Sequence, residues 1–172
     1  LEDNGITIDG MTALLVGLQA HPQVKALNLS KNKFAYIEQA GSLNQDVTKA
    51  EAALIALFPE EQPGGLHQIN RLSLHDCRLQ SGSLDILFGR FAAGAAPVLK
   101  YLDTSHNCMR DSSGTMLPEF IRKEYRLAEL NISWNSIRKD HAHNIALALK
   151  ENARLINLNI AQNHFGEEER CM

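Results

Sequence analysis

Apolar and polar residues alternate along this chain in a recurring figure, L-x-x-L-x-L-x-x-N-x-L, which fits five segments: Val24–Phe34, Ile69–Leu79, Leu99–Met109, Leu127–Ile137 and Leu155–Phe165. A truncated sixth copy opens the chain at Leu1–Ile6. The Asn or Cys of the ninth position falls at residues 4, 32, 77, 107, 135 and 163, so the intervals are 28, 45, 30, 28 and 28 residues. Such a fixed period is the mark of a stacked architecture. Within each copy the L-x-L pair has the two-residue period of a strand with one buried face.

A second figure follows each motif but the last. An apolar quartet at i, i+3, i+4, i+7 begins five residues after it and predicts an amphipathic helix. Met11, Leu14, Leu15 and Leu18 form the first quartet. Leu84, Leu87, Phe88 and Phe91 form another, as do Ala142, Ile145, Ala146 and Leu149. Gly114, Leu117, Pro118 and Ile121 fill the fourth, with Pro118 where a first helical turn tolerates it. The long interval has its own quartet in Ala50, Ala53, Leu54 and Leu57. Extra residues on both sides of that quartet make an expanded unit over 35–68.

Each unit is therefore a strand, a turn, a helix and a return loop. None can bury its apolar face alone, so neighbouring units must stack. The expected fold class is α/β: a solenoid with a curved parallel sheet on the concave side and helices on the convex side. The ninth-position amide is expected to pair with backbone groups of neighbouring turns, and Cys77 replaces it as a small side chain with a weak donor.

At 172 residues the chain is expected to be a single domain, 1–172, of about five units plus a partial N-terminal one. Apolar residues at 44% and charged residues at 22% exclude disorder of the whole chain. A net charge of −3 offers no footprint for nucleic acid or an anionic membrane surface. No apolar run can span a bilayer. Three scattered cysteines argue against a disulfide scaffold and for a reducing compartment. Because Leu1 stands at a mid-strand position and the chain stops soon after the last motif, both ends are uncapped. The expectation is a portion of a longer protein, or ends that pack on other parts, with self-association through the uncapped ends open to it.

These residues resemble leucine-rich repeats of the ribonuclease-inhibitor-like subclass, in which units run about 28 residues and Asn or Cys occupies the turn. The order LNLSKNKF, an expanded unit, LSLHDCRL and then regular copies is similar to part of the repeat domain of the CARMIL family. That resemblance implies a cytoplasmic, actin-related scaffold without enzymatic activity. The family's capping-protein-binding segment matches nothing here. Alternatives within the subclass are an axonemal or other cytoskeletal scaffold and a RanGAP-like GTPase-regulatory module; for the latter no motif assigns the role to a residue, Arg71 and Arg78 included.

The outward strand positions are expected to be the third, fifth and seventh, with the eighth at the rim. Adjacent strands lie ~4.8 Å apart. Columns therefore gather Arg71, His75, Asp76, Tyr101, Asp103, His106 and Trp134 into one patch. Exposed Trp and Tyr beside Arg are the composition of a protein-binding hot spot. The acidic loop with Glu60 and Glu61, beside Pro59, Pro63, Gly64 and Gly65, is a second candidate.

No catalytic, metal or cofactor site is expected, and no small-molecule substrate. Cys77, His75 and Asp103 do not make a nucleophile with an activating base, because Cys77 takes a buried turn position where a thiol is inert. His141 and His143 are about 200° apart on a helix, whereas a metal pair wants i, i+4. No glycine-rich phosphate loop is present.

Overall fold

The computed structural model describes residues 1–21, 23–34, 49–59, 66–107, 109, 116–123 and 126–166. Helices and strands alternate as α1 (Ile8–Gln19), β1 (Ala26–Asn28), α2 (Lys49–Ala56), β2 (Arg71–Ser73), α3 (Ser81–Ala92), β3 (Tyr101–Asp103), α4 (Met116–Lys123), β4 (Glu129–Asn131), α5 (Lys139–Glu151) and β5 (Asn157–Asn159). The strands form one parallel sheet in the order β1-β2-β3-β4-β5. Parallel neighbours need a crossover, which α2 to α5 supply. Each helix packs on the next along the chain, from α1 to α5. The chain is thus an α/β protein.

Equal motif positions stand side by side. Leu27, Leu72, Leu102, Leu130 and Leu158 form one row across the sheet, flanked by Ala26–Arg71–Tyr101–Glu129–Asn157 and Asn28–Ser73–Asp103–Asn131–Asn159. Beneath the leucine row lie the helix quartets: Ala50, Ala53, Leu54 and Leu57 are buried, as are Leu84, Leu87, Phe88 and Phe91. Phe91 meets Phe58 edge-on at 4.9 Å and Phe120 at 5.8 Å, so three consecutive crossovers share one aromatic cluster. In the fourth copy α4 starts at Met116, with Pro118 buried in its first turn; Gly114 lies outside the described residues. In α5 the expected face is shifted. Ala146 is exposed and Ala148 is buried instead. Among the described helices α5 packs chiefly on α4, so its buried face turns toward that neighbour.

Helix termini leave unpaired N–H and C=O groups, and here the neighbouring crossover supplies partners. The fully buried Glu51 of α2 accepts a hydrogen bond from the Gln80 N–H at the start of α3 (2.9 Å). Asp85 of α3 accepts one from the Met116 N–H at the start of α4 (3.0 Å). In the opposite direction Arg90 of α3 donates to the carbonyls of Ile55 (3.0 Å) and Phe58 (2.8 Å) at the end of α2. Asn152 donates to Ile121 O of α4 (2.6 Å). Acids at N-termini and a cation at a C-terminus also match the helix dipole.

The turns after the strands are equally repetitive. Asp3, Lys31, Asp76, His106, Trp134 and Gln162, the eighth motif positions, all have φ between 48° and 59°. Left-handed backbone costs an L-residue roughly 1–2 kcal/mol, and the ninth-position side chain offsets it. Asn107 Nδ2 donates to the carbonyls of Leu74 (2.8 Å), Thr104 (3.0 Å) and Ser105 (3.2 Å). Its Oδ1 accepts from the N–H groups of Cys77 (3.2 Å) and Leu79 (3.0 Å). Asn32, Asn135 and Asn163 repeat the pattern, each donating back to the sixth-position carbonyl of the preceding copy: Leu1, Thr104 and Ile132. The expected pairing of turn amides between neighbours is what holds the edge of the sheet.

Cys77 keeps the donor half of this scheme and loses the acceptor half. Its Sγ–H reaches Leu29 O (3.2 Å), and the Phe34 N–H bonds to the backbone carbonyl of Cys77 (3.0 Å) instead of to a side chain. Burial pushes the thiol up to about 12, so it stays protonated and unreactive at neutral pH.

Thr104 takes the sixth motif position, filled by Leu29, Leu74, Ile132 and Ile160 in the other full copies. It is buried, and its hydroxyl has no hydrogen-bond partner among the described residues. An unpartnered buried hydroxyl costs about 1–3 kcal/mol. Thr104→Val should therefore raise the unfolding free energy by about 1 kcal/mol or more, read as a higher urea midpoint at unchanged slope. A lower midpoint would refute the assignment.

Candidate functional site

The helices cover one side of the sheet, and the side chains of the third, fifth, seventh and eighth positions lie on the other. Not all of them reach solvent. The eighth-position side chains do: Lys31, Asp76, His106, Trp134 and Gln162 are exposed, Trp134 by 53%. Their left-handed backbone lifts them out of the turn while the following Asn, or Cys77 after Asp76, points in. The seventh position does not behave as expected, since Ser30, Ser105 and Ser133 are buried. Asp103, expected as a contact residue, is only 8% exposed.

The cause is a side-chain network laid across the strands. Asn28, Asp103, Asn131 and Asn159 each accept, through Oδ1, the N–H two residues ahead. This closed Asx turn draws the seventh residue under the fifth. Asp103 Oδ1 also takes the Ser105 hydroxyl (2.5 Å), while Oδ2 takes Asn131 Nδ2 (3.1 Å) and the Tyr101 hydroxyl (3.3 Å). The carboxylate is therefore a fixed part of the scaffold, surrounded by neutral donors. An Asn or Asp followed two residues later by Ser or Ala recurs visibly in the sequence, but the loss of the serine column from the surface shows only in three dimensions.

Two aromatic arrangements stand on this network. Along the rim, His75 meets His106 edge-on at 4.8 Å, and His106 stacks on Trp134 at 4.9 Å with an interplanar angle of 18°. His75 Nδ1 is fixed by the Ser105 hydroxyl (2.9 Å), which ties the row to Asp103. Deeper in the sheet the Arg71 guanidinium sits 4.2 Å over the Tyr101 ring. Burial, with the Asp103 carboxylate beside it, raises the Tyr101 phenol above its usual range, so it stays a neutral donor. At the β1 side Glu2 pairs with Lys31 (3.2 Å) and accepts from Asn28 (3.0 Å); those two contacts hold its carboxyl below the usual range.

Six of the seven expected patch residues therefore share one face with accessible surface: Arg71, His75, Asp76, Tyr101, His106 and Trp134. Asp103 serves them from below. Glu60 and Glu61 lie outside the described residues. Among the described residues no group of three or more His, Cys, Asp or Glu side chains could hold a metal ion. No described helix is long and apolar enough to cross a membrane. In comparison with known proteins, no family model matches the chain and no curated protein matches it.

Proposed function

We propose that this chain is a non-enzymatic protein-docking module whose binding face is the side of the sheet opposite the described helices. The single observation that carries the reading is Trp134, more than half exposed yet held flat against His106. A rigid, amphipathic ring on a face that no described helix covers is what interface anchors are made of. The stacked strand–turn–helix copies fit a leucine-rich repeat solenoid of the ribonuclease-inhibitor-like subclass. Within that class we favour a CARMIL-like segment, a scaffold of the actin cytoskeleton working in the cytoplasm. The expanded unit between Phe34 and Ile69 supports that choice, and the buried free thiol of Cys77 suits a reducing compartment.

The double variant Trp134→Ala, His106→Ala should lose partner capture in pull-downs from cells that make the protein. Its thermal midpoint should stay within a few degrees, because both side chains stand outside the core. Unchanged capture would remove this face from consideration.

A further inference from the structure

We propose that the segment docking on this face is basic, presenting extended Arg or Lys side chains to Trp134 and to the carboxylates of the same face; this rests on the docking reading above and names the chemistry of its partner. Of the ionisable Asp, Glu, Lys and Arg side chains at the third, fifth, seventh and eighth positions, five are carboxylates and two are cations. The carboxylates are Glu2, Asp3, Asp76, Asp103 and Glu129, and the cations are Lys31 and Arg71. Lys31 pairs with Glu2 and Arg71 lies over the neutral Tyr101 ring, which leaves these positions with a net charge of −3.

Three of these carboxylates, Asp76, Asp103 and Glu129, belong to the copies of β2, β3 and β4, the last of which carries Trp134. Asp103 is buried among neutral donors, so its field is less screened by water than that of a surface carboxylate. Asp76 precedes His106 in the rim row, and Glu129 shares a strand-and-turn segment with Trp134. One ring face of Trp134 is closed by His106. An indole face is negative and is the best side-chain surface for a guanidinium or ammonium group. Backbone groups inside the sheet are consumed by the parallel ladder, so recognition here runs through side chains and not through strand addition. A nucleic-acid strand would also stack on an indole, but the carboxylates repel its phosphates.

Trp134 is the only tryptophan, so its intrinsic fluorescence reports on this face directly. The full chain is titrated with an oligo-arginine peptide alternating with glycine, with the matching oligo-glutamate peptide and with single-stranded oligo-dT. Saturable change is expected with the first alone, weakening several-fold between about 50 and about 300 mM salt. Asp76→Lys with Glu129→Lys should weaken binding about tenfold or more with an unchanged thermal midpoint. Equal response to the acidic peptide, a response to oligo-dT in place of the arginine peptide, or indifference to the double charge reversal would overturn the proposal. The pull-down separates this from the docking reading. Capture that depends on Trp134, crosslinked to acidic or neutral segments, sinks the basic partner and leaves the docking face. Capture independent of Trp134 sinks the face itself.

Discussion

Phe91→Ala should destabilise the fold by about 3–5 kcal/mol, more than any substitution on the exposed side of the sheet. Phe91 is buried at 2% exposure and touches Phe58 beyond α2 and Phe120 of α4, so truncation opens a void that three crossovers line at once. Backbone collapse cannot refill it easily, because Arg90, the adjacent residue, is pinned to the end of α2. Urea unfolding should show a lower midpoint at nearly unchanged slope. Phe91→Leu should recover at least half of the loss, since most of the lost contact is apolar volume. A cost below about 1 kcal/mol for the alanine variant would mean that the aromatic cluster is not packed as described.

Asn107→Ala should cost about 3 kcal/mol. Five hydrogen bonds converge on this one amide, and its removal leaves the N–H groups of Cys77 and Leu79 and the carbonyl of Leu74 buried without that partner. It also removes what compensates the left-handed backbone of His106. Asn107→Cys is the informative companion. Cys77 shows that a thiol can occupy the ninth position while keeping a link to the preceding copy. The cysteine variant should therefore be milder than alanine, by about 1 kcal/mol. If the two cost the same, the donated bond to the sixth-position carbonyl carries no stability. His106 and Trp134 stand one copy apart, so their stacking, read by Trp134 fluorescence, should loosen in both variants.

The element order and the strand register were legible from spacing alone. A strict period fixes which residues must stand opposite each other, and Leu72, Leu102, Leu130 and Leu158 do form one row. Helix faces were legible where both sides of a helix are packed, as in α3, and less so in α5, where Ala146 and Ala148 exchange roles. The exposed anchors Trp134, His106 and Asp76 were legible because the eighth position is a turn. Asp103 and the serines were misplaced for a definable reason. Periodicity assigns a side of the sheet, whereas exposure also depends on whether a polar side chain folds back onto the backbone. The caps contributed by Glu51, Asp85, Arg90 and Asn152 were not legible at all, since each partner lies about 30 residues away and belongs to another helix.

Those reciprocal caps bear on how the molecule comes apart. Melting α3 would strip the partners from the end of α2 and the start of α4 together, leaving bare polar termini on both flanks. Fraying of one middle segment is thereby penalised twice, and the centre of the array should open in concert, with hydrogen exchange in β2, β3 and β4 governed by the same global event.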